Sequence, residues 1–235
     1  MNLLPADGKI CSFDCIYCEC GLNEERRTRS GFPSRRDVKE ALEAKLASMQ
    51  AEGIAPDVIT FAGNGEPTLH PEFAGIIDDT VATRNRFFPS ARIAVLSNAT
   101  RIGRPAVFEA LNKVDDNILK LDSVSDSRIR QLDRPASLSF TFADLLKGLK
   151  RFEGNLIIQT MFLSGEYEGR PAGNTSEEEI AGWLQALREI RPRQVMIYTV
   201  DRETPVKGLK KASPALLDAI AARARQEGFD VTVSY

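Results

Sequence analysis

The chain lacks cysteine beyond position 20, lacks an excess of either charge, and lacks any long apolar run. Its four cysteines all fall between Cys11 and Cys20. Bonds among such near neighbours would close only very small loops, so a secreted disulfide framework is excluded. In a reducing compartment a cluster this tight reads as metal-binding. With 31 Lys plus Arg against 33 Asp plus Glu, the general basic field of a protein that grips nucleic acid by phosphate neutralisation alone is missing, although a local basic patch stays open. No run of about 18 apolar residues is present to cross a membrane, and Met1-Asn2-Leu3-Leu4-Pro5 shows no cationic leader. The expectation is a soluble, cytoplasmic protein with no membrane partner. Linkers rich in Pro and Gly, low-complexity segments and sequence repeats are missing too, so a single domain over residues 1–235 is expected.

What is present after the cysteine segment and an Arg-rich stretch is alternation. Asp37 to Glu52 carries Val38, Leu42, Leu46 and Met49 at helical spacing with Gly53 as a stop, and Val58 to Ala62 reads as a buried strand. Helices are expected at Pro71–Phe88, Pro105–Lys113, Thr141–Phe152, Ser176–Ile190 and Pro214–Glu227. Strands are expected at Ile93–Ser97, Asn117–Leu121, Leu156–Leu163, Gln194–Val200 and Phe229–Ser234. Strand starts separated by the length of a β-α-β crossover give an α/β fold with a mainly parallel sheet. Ligands of such sheets collect at the carboxyl ends of the strands, whether the sheet is open or closed.

The cysteine segment reads Cys11-Ser-Phe-Asp-Cys15-Ile-Tyr-Cys18-Glu-Cys20, with C-x3-C-x2-C spacing in its first three cysteines. Short gaps let a loop curl soft thiolates around one face of an iron–sulfur cluster. Three ligands on a four-iron cluster leave one iron open, as a catalytic metal site requires. All four cysteines could instead close a tetrahedral zinc site, although structural zinc sites usually unite two separated pairs and no second pair follows. Spacing leaves both readings open.

The triad, with the aromatic Tyr17 just before its third cysteine, resembles the radical S-adenosylmethionine (radical SAM) superfamily. A second motif agrees: Gly63-Asn64-Gly65-Glu66-Pro67 follows the first buried strand, where that superfamily carries a Gly-Gly-Glu type sequence. The resemblance implies a partial (β/α)6 barrel and a 4Fe-4S cluster on Cys11, Cys15 and Cys18. It implies SAM on the open iron, cleaved reductively to a 5′-deoxyadenosyl radical that takes hydrogen from an unknown substrate. The substrate is a small molecule, a nucleotide or RNA, or a protein, and an electron donor such as flavodoxin or ferredoxin is required. The phrase from Phe61 to Pro71 resembles the iron–sulfur oxidoreductase group that includes the wyosine-base tRNA synthases, but their second cysteine cluster is missing. A glycyl-radical-enzyme activase is the alternative, and a non-catalytic zinc or electron-transfer module is the alternative from another class. With Cys11 so near the start, only Asn2–Leu4 is left for the first barrel strand.

The same resemblance implies roles for single residues. Tyr17 would offer its backbone to the adenine, and Glu66 would meet the methionine ammonium. Gly63, Asn64 and Gly65 would form the turn that brings backbone close to ligand. Ser97 and Asn98, in Ser97-Asn98-Ala99-Thr100, would contact SAM, although such residues also make ordinary turns. Asp122 or Ser123 would hold the ribose. Lys120 shares a strand face with Asp122, so it would bind substrate or neutralise that carboxylate. Gln159 is a cofactor or substrate contact if it points inward, and Tyr198 and Thr199 are further candidates. No catalytic side chain is assigned, because the hard chemistry belongs to the cofactor. The sole histidine, His70, fits a helix start ahead of Pro71. The basic run Arg26, Arg27, Arg29, Arg35, Arg36 and Lys39 fits a phosphate-bearing substrate or a solvated loop. Cys20 has no assigned role.

Overall fold

The computed structural model describes residues 1–235. Helix α1 (Arg35–Ala51) starts where Ser34 accepts a hydrogen bond from the Asp37 amide, and it buries Val38, Leu42 and Leu46. Strand β1 (Val58–Phe61) leads through the glycine motif and a single 3-10 turn (Pro67–Leu69) into α2 (Phe73–Phe87). Then follow β2 (Arg92–Ser97), α3 (Pro105–Leu111), β3 (Asp116–Lys120), α4 (Asp126–Leu132) and α5 (Phe142–Lys150). Strand β4 (Ile157–Met161) is succeeded by β5 (Leu163–Tyr167) and β6 (Arg170–Pro171). Helix α6 (Glu177–Ile190), β7 (Gln194–Tyr198), β8 (Leu209–Lys211), α7 (Pro214–Gln226) and β9 (Val231–Ser234) complete the chain.

Six strands pair in parallel in the order β1-β2-β3-β4-β7-β9, with β1 and β9 as the outermost strands. The expected α/β class with a mainly parallel sheet is the observed one. Alternation along each strand divides the labour. Ile93, Val95, Leu119, Leu121, Ile158, Val195 and Ile197 face the helices and join a 36-residue core with α2, α3, α5, α6 and α7. The opposite face carries Ala94, Ile118 and Ile157, with Leu96 and Met196 against them. Further toward the carboxyl ends that face turns polar, with Lys120 in register with Gln159 and Gln159 with Met196.

Three expectations need correction. Asn2–Leu4 is not a strand. Met1 lies beside β1, its amine on Thr60 O and its carbonyl accepting from Ala62 N, but the Asn2 side chain then accepts from Leu4 N at 3.1 Å and turns the chain away. The run Leu156–Leu163 is cut short at Met161. Buried Asn174 takes Leu163 N on its oxygen and donates to Met161 O and Asp122 O, diverting the chain into a small antiparallel sheet of order β6-β5-β8. Helix α4 was not expected at all, because seven residues with only Ile129 and Leu132 buried carry too little periodicity to detect.

Candidate active site at the cysteine loop

Residues 10–21 form an irregular loop held on two sides. On one side it bonds to the glycine motif: Ile10 N donates to Asn64 O at 3.3 Å, and Glu66 N donates to Ile10 O at 3.0 Å. Gly65 sits at φ +150°, and a Cβ there would strike the Ile10 carbonyl, so this close approach demands glycine. On the other side, Asp14 N donates to Asp133 O and Ile16 N to Leu132 O, each at 2.9 Å, at the end of α4.

Tyr17 fixes the loop from within. Its hydroxyl donates to Asp122 and lies 2.9 Å from Asp133 Oδ1, while Lys120 Nζ donates to the same hydroxyl at 2.9 Å and to Asp122 Oδ2 at 3.1 Å. Cys15 Sγ donates to Asp133 Oδ1 at 3.6 Å. Burial opposes the Lys120 charge most strongly, but Asp122, together with Tyr198, Cys15 and Asp133, outweighs it and lifts the ammonium well above the lysine range. Burial, with Asp122 nearby, pushes the Asp133 carboxyl up to about 8.

The loop, the glycine motif and the strand ends enclose a cavity of about 370 Å³. Cys11, Cys15 and Cys18 line it with Tyr17, Gly63, Gly65, Glu66, Ser97, Asn98, Lys120, Gln159 and Tyr198, so twelve residues singled out by sequence meet there. All four thiols are free of disulfides. Burial raises the Cys11 thiol to about 11 and raises Cys15 as well. A hydrogen bond from Cys20, aided by Lys9, lowers Cys18 to about 5 against its burial. Three soft donors free of disulfides on one irregular loop fit an iron–sulfur cluster. The four thiols do not converge as a single-ion site would require.

Glu66 faces the thiols across the cavity and is buried. Oε1 accepts from Thr68 N at 3.0 Å, Thr68 Oγ1 at 2.5 Å and Ser97 Oγ at 2.8 Å, and Oε2 accepts from Asn98 N at 2.6 Å. Burial raises its carboxyl, and those bonds work in the other direction. All four donors are neutral, so the carboxylate is fixed in place without a cation. The Ser97–Thr100 segment is also a tight turn, with Ala99 at φ +64°. Asn98 reaches both Ser12 Oγ at 3.0 Å and Cys11 Sγ at 3.6 Å.

Other candidates lie elsewhere. Asn64 is turned to Pro5 O and Gly8 O and lines a neighbouring cavity with Cys20 and Arg26. Asp122 is closed into the Tyr17 network, its Oδ1 accepting from Met161 N at 2.9 Å. Ser123 donates to Glu179 at 2.7 Å, and Thr199 accepts from Ala212 N at 2.8 Å. His70 accepts from Glu72 N on Nδ1 and bonds Pro33 O through Nε2 at 2.8 Å, the helix-start role. In the basic run Arg35 pairs with Asp79 and Arg36 with Glu40, whereas Arg26, Arg27 and Arg29 are exposed. Sequence reading missed Lys9 and Asp133. No motif marks Lys9, and Asp133 follows the undetected α4.

The fold and this cavity define a cysteine-loop α/β protein whose site lies at the strands' carboxyl ends. The Radical SAM superfamily model matches residues 7–171, and the chain belongs to that superfamily, whose domain works with a 4Fe-4S cluster and SAM. A UPF0026 protein of Methanocaldococcus jannaschii is 28% identical over 228 residues, which are 94% of this chain and 65% of that protein. The chain thus spans just under two thirds of that relative. Among solved structures, Streptococcus suis SuiB bound to S-adenosylmethionine matches with a TM-score of 0.69 at 14% identity, covering 100% of this chain and 50% of that one. TYW1 with a lysine-pyruvate adduct matches with a TM-score of 0.62 at 14% identity, covering 92% and 70%. At such identities these two share the fold. No helix is long and apolar enough to cross a membrane.

Proposed function

We propose that residues 1–235 form one catalytic core that holds a 4Fe-4S cluster through Cys11, Cys15 and Cys18 and cleaves SAM reductively to start hydrogen abstraction from a substrate. The observation that carries this reading is the meeting of three free thiols and a buried carboxylate without a cation in one cavity. Held by Cys11, Cys15 and Cys18, the cluster would supply the electron for reductive cleavage of SAM.

The chain's own residues bind and orient. Glu66, kept in place by Thr68, Ser97 and the Asn98 amide, receives the cationic amino group of SAM as a charge-assisted hydrogen-bond acceptor. Phe13, Leu96 and Met161 supply the apolar wall that limits water in the cavity. Gln159 and Tyr198 offer polar groups from β4 and β7 toward the remaining space, where the substrate enters. Lys120 does not suit condensation with a carbonyl substrate, because its amine is engaged by Asp122 and Tyr17 and held as the ammonium. The lysine-pyruvate adduct of TYW1 therefore has no counterpart at this residue.

The test is anaerobic reconstitution followed by iron and sulfide analysis and an assay for 5′-deoxyadenosine under strong reductant. Wild type is expected to take up both elements and cleave SAM, and Cys15→Ala to lose both properties. One zinc with no sulfide, or a reducible cluster that never cleaves SAM, would sink the reading. Glu66→Gln is expected to keep the iron and weaken SAM binding about tenfold or more, the worth of a charged hydrogen bond.

A further inference from the structure

Lys9 takes no part in the function described above, yet it is the most buried cation near the thiols. Its side chain is 1% exposed, two residues before Cys11, and it lines both the main cavity and the neighbouring one that Cys20 lines. Nζ donates to Gly21 O at 2.7 Å, where the loop ends, and lies 3.5 Å from Asp14 Oδ1. Asp14 is a weak counter-charge. The same carboxylate lies 3.6 Å from Arg134 and accepts from Asn23 N at 2.7 Å. Two cations thus share one carboxylate, and the more buried of them is left short of negative charge. Lysine is almost never fully buried without a partner. Glu19, the other carboxylate on the loop, is drawn outward to Arg202 at 3.3 Å.

We propose that Lys9 is the built-in counter-cation of the cluster and raises its reduction potential. This rests on Cys11, Cys15 and Cys18 being the ligands. Three thiolates on an oxidised cluster core of charge 2+ would leave a net charge of about −1 beside the ammonium, and one-electron reduction would take it to about −2. A fixed cation in a site shielded from water stabilises the more negative, reduced form over the oxidised one, since net charge and local electrostatics set the potentials of such clusters. The electron comes from the external donor that the family reaction already needs, and no proton or bond changes at Lys9. Lys9 is therefore a positioning residue for charge and touches no substrate.

The test is a redox titration of the reconstituted full chain without SAM, followed by the electron paramagnetic resonance of the reduced cluster. At the wild-type midpoint potential, Lys9→Met is expected to show a reduced-to-oxidised ratio about tenfold lower, equivalent to about 59 mV for one electron. Lys9→Gln, a shorter neutral side chain that can still hydrogen-bond Gly21 O, is expected to lower the midpoint likewise and decides the matter if Lys9→Met does not fold. A midpoint equal to wild type in either variant with full iron and sulfide overturns the proposal. Loss of the cluster from both variants assigns Lys9 to building the loop and overturns it equally. Wild type without iron and sulfide fails at an earlier point: it overturns the ligand assignment, and this proposal with it.

Discussion

Tyr17 shows how one side chain serves two ends of the fold. Its hydroxyl is shared among Lys120 and Asp122 at the end of β3 and Asp133 after α4, so the cysteine loop is tied to a strand and a helix through one oxygen. Deleting that oxygen takes one hydrogen-bond partner from each of two buried carboxyl groups and from the ammonium. Tyr17→Phe is expected to destabilise the cluster-free protein by about 1–3 kcal/mol, seen as a lower urea midpoint at unchanged slope. A midpoint equal to wild type would show that water replaces the hydroxyl. The candidate site was legible in sequence where motifs carry it: the triad, Tyr17, the glycine turn and Glu66 stand out through their resemblance to the radical SAM motifs. Lys120 was legible as a possible partner for Asp122 because the two share a strand face, and the ion pair is 3.1 Å long. Lys9 and Asp133 were not, because a buried charge reveals itself only through partners distant in the chain. Ser123 illustrates the converse, a polar residue at a strand end that turns to Glu179 on α6 and away from the cavity.

At the scale of elements, chemistry and cohesion occupy opposite ends of the sheet. The carboxyl ends carry the cavity, whereas the amino ends are stitched by charge. Asp116, the first residue of β3, accepts from Arg92 at the start of β2 at 2.7 and 2.8 Å and from Arg193 just before β7 at 2.9 Å. The hydrogen bonds from Arg92, aided by the charge of Arg193, hold its carboxyl below the usual range. A depressed folded-state value stabilises the fold above the ordinary value near 3.8, and that contribution is lost as pH falls below it. Asp116→Asn is therefore expected to cost about 1 kcal/mol or less at pH 7, because both arginines are about half exposed and screened by water. Denaturation at pH 7 and again near pH 3 checks the sign: the gap between variant and wild type should close in acid. A gap that persists would assign the loss to packing. The stitches were invisible in sequence, as were β5, β6 and β8. The main helices and strands were legible because a parallel sheet covered by helices imposes long apolar runs and 3.6-residue periodicity. The antiparallel sheet is short, with Leu163 its one buried strand residue, and it is held by the contacts of Asn174 and leaves no periodic trace.

For the whole molecule, the decisive fact is that the cysteine loop and the main core are separate apolar groups. The 36-residue core lies between the sheet and its helices and contains no cysteine. Cys15, Ile16 and Tyr17 belong to a second group of 8 buried residues with Phe13, Leu132, Met161, Leu163 and Ala172. A domain whose core is complete without its metal is not a domain that the metal folds. Small zinc modules, which lack such a core, unfold when stripped. Oxidative removal of the cluster with a chelator is therefore expected to leave helical circular dichroism and a cooperative thermal transition in place. The change should concentrate where the second group thins out. Ile16 and Tyr17 remain buried among Leu132, Met161 and Leu163, while Cys18 to Gly21 and the exposed arginines that follow keep few apolar contacts. Amide hydrogen exchange should thus rise first in residues 18–30, with little change in β2, β3 and β4. Collapse of the helical signal on stripping would mean that the cluster holds the whole fold together. Unchanged exchange throughout would mean that the loop is rigid without it, with Lys9, Tyr17 and the two backbone seams sufficient to hold three thiols in place for the cluster.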